Sequence, residues 1–232
     1  MKRTIYIILC VATLGLTGYT TYYAMSHTAP AMVAVEAPAP VATTTPLKEN
    51  TTSYTTKSGK KIKITETNPI GESLSTITIT PEGFATNTPI VLDVNKLTNS
   101  LYADLNNDIY EELIITTTAQ GSGSFGDVFI FTTASATQLL PIPFPEVTED
   151  ETKKGALFEG YMGHDSFSIT EGKLIREFPT YTKTDTNNDP TGTRRSVVYS
   201  LAEKGGTYSI VSAKGIVTST SSVKVSTTTL SQ

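Results

Sequence analysis

Short runs of alternating apolar and polar residues, separated by turn-forming residues, constrain the fold of this chain more than any other feature. Lys61 to Glu66 places its isoleucines on one face, and Leu74 to Thr80 repeats the pattern. A period of two indicates strands, and no run after the first thirty residues has the 3.6-residue period of a helix. Pro81-Glu82-Gly83 is a turn signal between such runs. The sequence therefore predicts neighbouring antiparallel strands.

The second half of the chain carries the same signals. Ser166 to Thr170 and Lys173 to Phe178 flank Glu171-Gly172, a two-residue hairpin turn, and Arg195 to Leu201 and Thr207 to Ser212 flank a turn with two glycines. Strands at short spacing with polar turns are typical of sandwiches and barrels. We expect an all-β fold, an antiparallel β-sandwich or barrel-like meander of about eight to ten strands.

The two ends of the chain differ from this domain. Lys2 and Arg3 precede the apolar run Ile5 to Leu16, the order of an export signal, so residues 1–26 are predicted to be a signal peptide or, if uncleaved, a membrane anchor. The Ala, Pro and Thr of residues 27–50 predict a linker, residues 51–216 a single all-β domain, and residues 217–232 a disordered Ser/Thr-rich tail. The expected location is periplasmic or otherwise extracytoplasmic, with membrane contact only through the N-terminal segment.

Charge and cysteine usage narrow the classes of partner. Residues 51–216 carry 14 lysines and arginines against 20 aspartates and glutamates, a net charge of −6. Such a domain is not suited to nucleic acid or to an anionic membrane surface, and a cationic protein partner fits better. The single cysteine, Cys10, lies in the export segment, so the exported domain has no disulfide.

A cluster of oxygen-bearing residues predicts a calcium site. Short side-chain oxygens and a main-chain carbonyl at alternate positions can converge on a hard cation. An EF-hand is excluded because Ile109 and Ile115 stand where it needs Gly and Glu. The alternative is an Asx-rich turn between strands that holds no metal. The candidate ligands are Asp104, Asn106, Asp108, Tyr110 and Glu112.

The segment from Gln120 to Asp127, QGSGSFGD, is the candidate binding loop. It lacks the Lys and Thr of a P-loop and no helix follows it, which excludes a phosphate site of that kind. Phe125 would be an exposed aromatic beside small hydroxyl residues, as in an interface anchor. The alternative is that Phe125 folds back onto the sheet.

Catalytic chemistry has little support in this sequence. His164 and Asp165 are adjacent, and adjacent residues on a strand point to opposite faces, so they cannot orient one another. The only other histidine, His27, lies in the linker, and no Gly-x-Ser-x-Gly elbow is present. The sequence therefore predicts a binding protein and not an enzyme, with no cofactor other than the calcium considered above.

Four segments between Asp104 and Leu201 resemble the bacterial periplasmic inhibitors of invertebrate-type (i-type) lysozyme. The resemblance implies a small exported β-sandwich, often a homodimer, that inserts a loop into the lysozyme cleft. It implies no nucleic-acid partner and no catalytic group. The segments are DLNND with the following EEL, GSGSFG, GYMGHDSF and FPTYTKTDTNNDPTGTRRSVVYSL.

The resemblance also assigns the loop residues. In that family a Ser-Gly-x-Tyr signature contacts the enzyme, and Ser122 takes the serine position, Gly123 the glycine and Phe125 the tyrosine. Loss of the phenolic hydroxyl implies weaker inhibition or a different target. The alternative function is a calcium-stabilised cell-envelope binding module with a protein or glycan partner. The implied lysozyme-binding loop is Ser122, Gly123, Ser124, Phe125 and Gly126.

Overall fold

The computed structural model describes residues 47–218, which form eleven β-strands. The described range contains no α-helix and only one turn of 3-10 helix, at Asp150–Thr152. The predicted all-β class is therefore confirmed. The strands are β1 (Leu47–Thr55), β2 (Lys61–Pro69), β3 (Leu74–Glu82), β4 (Ile90–Ala103), β5 (Glu112–Thr118), β6 (Gly126–Thr132), β7 (Leu140–Ile142), β8 (Ser166–Thr170), β9 (Lys173–Pro179), β10 (Arg194–Lys204) and β11 (Thr207–Thr218).

Two antiparallel sheets organise these strands. The first has seven strands in the order β1 to β7, and the second has four in the order β11, β10, β9, β8. Both are meanders, because each strand pairs with its neighbour along the chain. β4 pairs with β3 from Ile90 to Asn95 and with β5 from Lys96 to Ala103, with a register shift between Leu97 and Asn99. A bulge of this kind bends a strand, so β4 changes partner along its length.

Strand β5 lies between two hydrophobic cores. Every residue from Glu112 to Thr117 is buried, as expected of a strand covered on both faces. Ile114 belongs to the core shared with Leu174, Phe178 and Tyr199 of the second sheet. Its neighbours face the other core, which contains Leu113, Ile115 and Phe131 of β5 and β6 together with Ile62, Ile64, Ile77 and Ile79 of β2 and β3.

The predicted hairpins are present with the turn chemistry that the sequence indicated. β8 and β9 pair from Ser166↔Glu177 to Thr170↔Lys173, with Glu171 at φ 50° and Gly172 at φ 67° between them. β10 and β11 are joined by Gly205 and Gly206, also at positive φ. Positive φ at both central positions is the type I′ geometry, whose twist matches that of the flanking strands.

Three boundaries differ from the prediction. β1 begins at Leu47, inside the range assigned to the linker, and it was missed because an exposed edge strand has no apolar alternation. β4 runs beyond the predicted Ile90 to Val94, and β11 reaches Thr218, inside the range assigned to the tail. Within residues 47–218 no helix is long and apolar enough to cross a membrane. The predictions for residues 1–46 and 219–232 fall outside the described residues.

Candidate functional site

The loop between β5 and β6 is held in a defined turn. The amide of Ser124 donates to the carbonyl of Gly121 at 2.9 Å, and the amide of Ala119 donates to the carbonyl of Phe125 at 2.8 Å. Ser124 has φ 42°, a conformation uncommon outside glycine. Its hydroxyl donates to the carbonyl of Gly121 at 3.4 Å, so its proton is used inside the loop. Ser122 is exposed at the tip.

Two distant segments hold this loop from the side. The amide of His164 donates to the carbonyl of Gly123 at 2.7 Å. The side-chain amide of Asn187 donates to the Ser122 hydroxyl oxygen at 3.3 Å. The loop, the segment around His164 and the turn-rich segment around Asn187 therefore form one surface, although up to 65 residues separate them along the chain.

Two glycines allow this close approach. A Cβ on Gly163 would collide with the carbonyl oxygen of Gly123, and Gly163 has φ +97°. A Cβ on Gly123 would collide with the ring of Phe125. A side chain at position 163 would force the backbone to move, because its Cβ meets main-chain atoms, whereas one at position 123 would force the Phe125 ring to move. Glycine is thus a steric requirement of this surface.

Phe125 is partly packed and partly exposed. Its ring meets that of Tyr161 edge to face, with centroids 5.7 Å apart, and 48% of the residue is exposed. Met162, from the neighbouring segment, is 42% exposed. The fixed ring can therefore offer apolar area to a partner at little entropic cost. We call the set Ser122, Phe125, Met162, His164 and Asn187 the loop surface.

A buried ion pair lies beneath the loop surface. Arg176 Nε donates to Asp165 Oδ1 at 2.7 Å, and the two side chains are only 5% and 0% exposed. Asp165 Oδ2 accepts from the amide of Gly126 at 2.8 Å and from the hydroxyl of Tyr161 at 2.7 Å. A buried carboxylate needs this many partners to offset its desolvation. Asp165 thereby ties the start of β6 to the second sheet.

The guanidinium of Arg176 also lies against aromatic faces. Its Cζ is 4.8 Å from the ring centroid of Tyr161, 5.4 Å from that of Phe158 and 5.5 Å from that of Phe167. Burial alone would lower the pKa of Arg176, but the hydrogen bond and charge of Asp165 outweigh it and raise the pKa above its ordinary value. Burial has the opposite effect on the neighbouring Tyr161 hydroxyl and raises its pKa. The guanidinium of Arg176 therefore stays protonated at any physiological pH.

The turn-rich segment between β9 and β10 is braced by Asp185. Its carboxylate accepts from the amide and hydroxyl of Thr182 at 2.7 and 2.6 Å, and from those of Thr191 at 2.9 and 2.6 Å. Hydrogen bonds from Thr182 and Thr191 hold the pKa of Asp185 well below its usual range. This cluster of turn formers is therefore an ordered loop that presents Asn187.

His164 is a structural donor in this arrangement. Its Nε2 lies 2.6 Å from the carbonyl oxygen of Asn187, which also accepts from the hydroxyl of Tyr181 at 2.9 Å. A carbonyl can only accept, so the proton of the neutral ring sits on Nε2. Asp165 is engaged by Arg176, and the adjacent His164 and Asp165 do not form a catalytic pair. The loop surface offers hydrogen-bonding groups and apolar contact to a partner.

The predicted calcium ligands lie in the loop between β4 and β5. Asp104 Oδ1 accepts from the amides of Asn106 at 3.4 Å and Asp108 at 3.1 Å, and its Oδ2 accepts from that of Ile109 at 2.9 Å. Asp108 Oδ1 accepts from the amide of Tyr110 at 2.9 Å, and its Oδ2 accepts from Asn106 Nδ2, also at 2.9 Å. These are the hydrogen bonds of an Asx-rich turn, so the oxygens are directed to the loop's own amides.

Glu112, the last of the predicted calcium ligands, is buried in the core with both carboxylate oxygens hydrogen-bonded. It is 0% exposed and accepts from the amide of Leu105 and the hydroxyl of Thr132, each at 2.9 Å. Burial raises the pKa of Glu112 to about 7, against the opposing effect of these two hydrogen bonds, and the charges of Asp108 and Asp104 add to the rise. Among residues 47–218 no group of three or more His, Cys, Asp or Glu side chains is arranged to hold a metal ion.

The sequence interpretation missed the ion pair of Asp165 with Arg176, although a signal for it was present. Leu174, Arg176 and Phe178 alternate along β9 and share its buried face. An arginine in a core-facing position requires a buried acceptor, and only a few acids on neighbouring elements could supply one.

Comparison with known proteins gives no match: no family model, no curated protein and no solved structure is significantly similar to this chain.

Proposed function

We propose that this protein is an exported inhibitor that blocks the active-site cleft of i-type lysozyme with the loop of residues 120–127. One observation carries the proposal. Three of the segments on which the resemblance rests come together at the loop surface, where Gly123 bonds to His164 and Ser122 bonds to Asn187. The convergence supports a common binding role for these segments. The choice of lysozyme as the target rests on the resemblance alone.

The hydrogen bonding of Ser122 suits it to contact a carboxylate. Its oxygen accepts from Asn187, so its own proton remains available for an acceptor on a partner. Lysozymes cleave glycosidic bonds with two carboxyl groups in a groove. Ser122 donating to one of them would occupy the catalytic acid or base and exclude the sugar. The acidic domain would also be steered toward a cationic enzyme.

Phe125 would contribute apolar contact beside this hydrogen bond. It stands where the resembling family has tyrosine, so a hydrogen bond worth about 0.5–1.5 kcal/mol is absent. Up to about tenfold weaker inhibition is expected than for a tyrosine at this position. A Phe125→Tyr variant should therefore inhibit more strongly.

The proposal is tested by lysozyme assays with two serine variants of the same loop. Wild-type protein is expected to inhibit i-type lysozyme at micromolar concentration or below. Ser122→Ala should weaken inhibition about tenfold, because the outward donor is lost. Ser124→Ala is the matched control, since its hydroxyl bonds inside the loop and inhibition should change less than about threefold.

Two results would overturn the proposal. One is i-type lysozyme activity that stays unchanged at a large excess of protein. The other is equal inhibition by Ser122→Ala and wild type. A parallel panel of other lysozyme classes would show whether a second class is the true target.

A further inference from the structure

Strand β6 has an open edge beside the loop surface. It pairs with β5 along its whole length, but β7 covers its other side only from Ile130 to Thr132. Pro143 and Pro145 follow β7 and carry the chain away, because proline cannot donate to a ladder. The part of β6 from Gly126 to Phe129 therefore has no paired strand on that side within residues 47–218.

The direction of the backbone groups on this edge follows from two hydrogen bonds. The carbonyl of Phe125 accepts from Ala119 on the β5 side, whereas the amide of Gly126 donates to Asp165 on the opposite side. Hydrogen-bonding direction alternates along an antiparallel strand, so Val128 points its N–H and C=O away from β5. Among the described residues these two groups have no hydrogen-bond partner. An open edge of this kind is a template for an added strand.

A mainly apolar groove of about 1060 Å³ runs along this edge. Ile90 and Leu92 line it from β4, whose first half also has no strand on the side opposite β3 among residues 47–218. Phe129 lines it from β6, and Phe144 and Val147 line it from the segment after β7. The groove therefore offers apolar contact together with unpaired main-chain groups.

The charged side chains along the groove that have no ion-pair partner within residues 47–218 are all acidic. Asp127, Glu146 and Glu149 line it, are exposed and take part in no ion pair within residues 47–218. Arg176 is the cation at its end, and its charge is compensated by Asp165. The acids would attract a cationic ligand and repel an anionic one.

We propose that this groove binds an extended, basic segment of a partner polypeptide, which adds to β6 as a strand. Its main chain pairs with Val128, alternate apolar side chains enter the groove, and lysines or arginines meet Asp127, Glu146 and Glu149. Apolar walls alone would suit a lipid, but a lipid would use neither the main-chain groups nor the acids. This site does not depend on lysozyme being the target of the loop surface.

Three peptides of equal length separate these contributions. Their sequences are KVTVTVK, its charge-reversed form EVTVTVE, and KVPVPVK, in which prolines remove amide donors. Isothermal titration calorimetry at low salt is expected to show micromolar binding of the first peptide. The other two should bind at least about tenfold more weakly. EVTVTVE carries charges that the groove acids repel, and KVPVPVK lacks amide donors for pairing with β6.

Matched variants of the protein locate the site. Neutralising the groove acids together, with Asp127→Asn, Glu146→Gln and Glu149→Gln, should weaken KVTVTVK binding at least about tenfold. The control neutralises three exposed acids elsewhere, with Glu49→Gln, Glu72→Gln and Glu82→Gln, and should change binding less than about threefold. Thermal unfolding of both variants checks that they fold.

Three outcomes of the peptide-binding experiments would overturn the proposal. They are no binding of KVTVTVK, equal binding of all three peptides, and equal loss of binding in both acid variants. Self-association of the protein that disappears only in the groove variant would assign the groove to a second copy and would also contradict it. Phe125 lines both the groove and the loop surface, whereas Ser122 belongs to the loop surface alone. The lysozyme assay with the Ser122 variant therefore keeps its meaning if peptide binding fails.

Discussion

The loops at the two ends of strand β5 are both short and rich in polar residues, yet they satisfy their hydrogen bonds in opposite ways. Before β5, Asp104 and Asp108 accept from amides of their own loop. After β5, Gly123 and Gly126 bond to residues about forty positions away, at His164 and Asp165. From Asp104 to Tyr110 the first loop is closed on itself, and only Glu111 at its end accepts from distant residues. The second loop is fixed from outside and keeps the Ser122 proton free.

The two kinds of hydrogen bonding have different consequences for the two loops. The self-bonded loop holds Ile109 at φ 72° and 72% exposed, a strained and solvated position that its bond to Asp104 helps to maintain. In the externally fixed loop, backbone groups of Gly123 and Gly126 are hydrogen-bonded to His164 and Asp165. These bonds fix the backbone, so the side chains of the loop are held in a defined geometry. A dense polar cluster in a sequence can therefore be a turn, while the loop proposed to bind a partner is the one with fewer polar groups.

Removing Asp165 should have the largest effect, because it breaks the external support of the second loop. Asp165→Ala leaves Arg176 buried without its partner and is expected to lower the free energy of unfolding by about 3–5 kcal/mol. Chemical denaturation measures this. Asp165→Ala combined with Arg176→Met should recover part of the loss, since no unpaired charge remains. A loss below about 1 kcal/mol would show that the loop does not rely on this ion pair.

Glu112, at the first loop's end of β5, should make the stability of the fold depend on pH. Its pKa rises from the ordinary 4.5 to about 7 on folding. The native state then holds a proton that the unfolded chain releases, so this stabilisation is complete below pH 4.5 and is lost as the pH rises to about 7. The full change corresponds to about 3 kcal/mol.

Glu112→Gln tests this origin of the pH dependence. The variant should flatten the decline in stability between pH 4.5 and 7, measured by urea denaturation at several pH values, because it cannot ionise. Glu72→Gln, at an exposed site, should leave the decline in place. An unchanged slope in Glu112→Gln would show that another group titrates.

Gly163→Ala probes the contact that places the second loop. Gly71→Ala is the matched control, since Gly71 has a similar φ of +92° and open space around its Cβ position, whereas a Cβ on Gly163 meets the carbonyl oxygen of Gly123. Both variants should lose about 1–2 kcal/mol from backbone strain. Gly163→Ala should lose about 2 kcal/mol more and weaken lysozyme inhibition. An equal loss of stability in the two variants, measured by thermal unfolding, would mean that the segment around Gly163 does not pack tightly against Gly123.

The local parts of the fold could be predicted from the sequence, and the contacts between distant parts could not. The hairpin around Glu171-Gly172 was predictable because its turn and alternation are local. β1 was missed because its residues face solvent and carry no apolar pattern. The loop surface could be outlined from Ser122 and Phe125, but Asn187, Met162 and the ion pair under them depend on pairing across the second sheet. The sequence left the choice between metal site and turn open for Asp104 because both use the same spacing of oxygens.

Calcium should have the smallest effect, and it tests whether the first loop is closed. A cation would have to displace three amide bonds from Asp104 and the one that Tyr110 makes to Asp108, so millimolar calcium after chelation is expected to change Tm by less than about 1 °C. Magnesium is the control. A rise of several degrees with calcium alone would show that the loop opens and gathers its oxygens on the ion. The pKa of Glu112 would then fall, since a nearby cation favours its charged form, and the Tm gain would grow with pH. Both loops would then depend on a partner, and only the kind of partner would distinguish them.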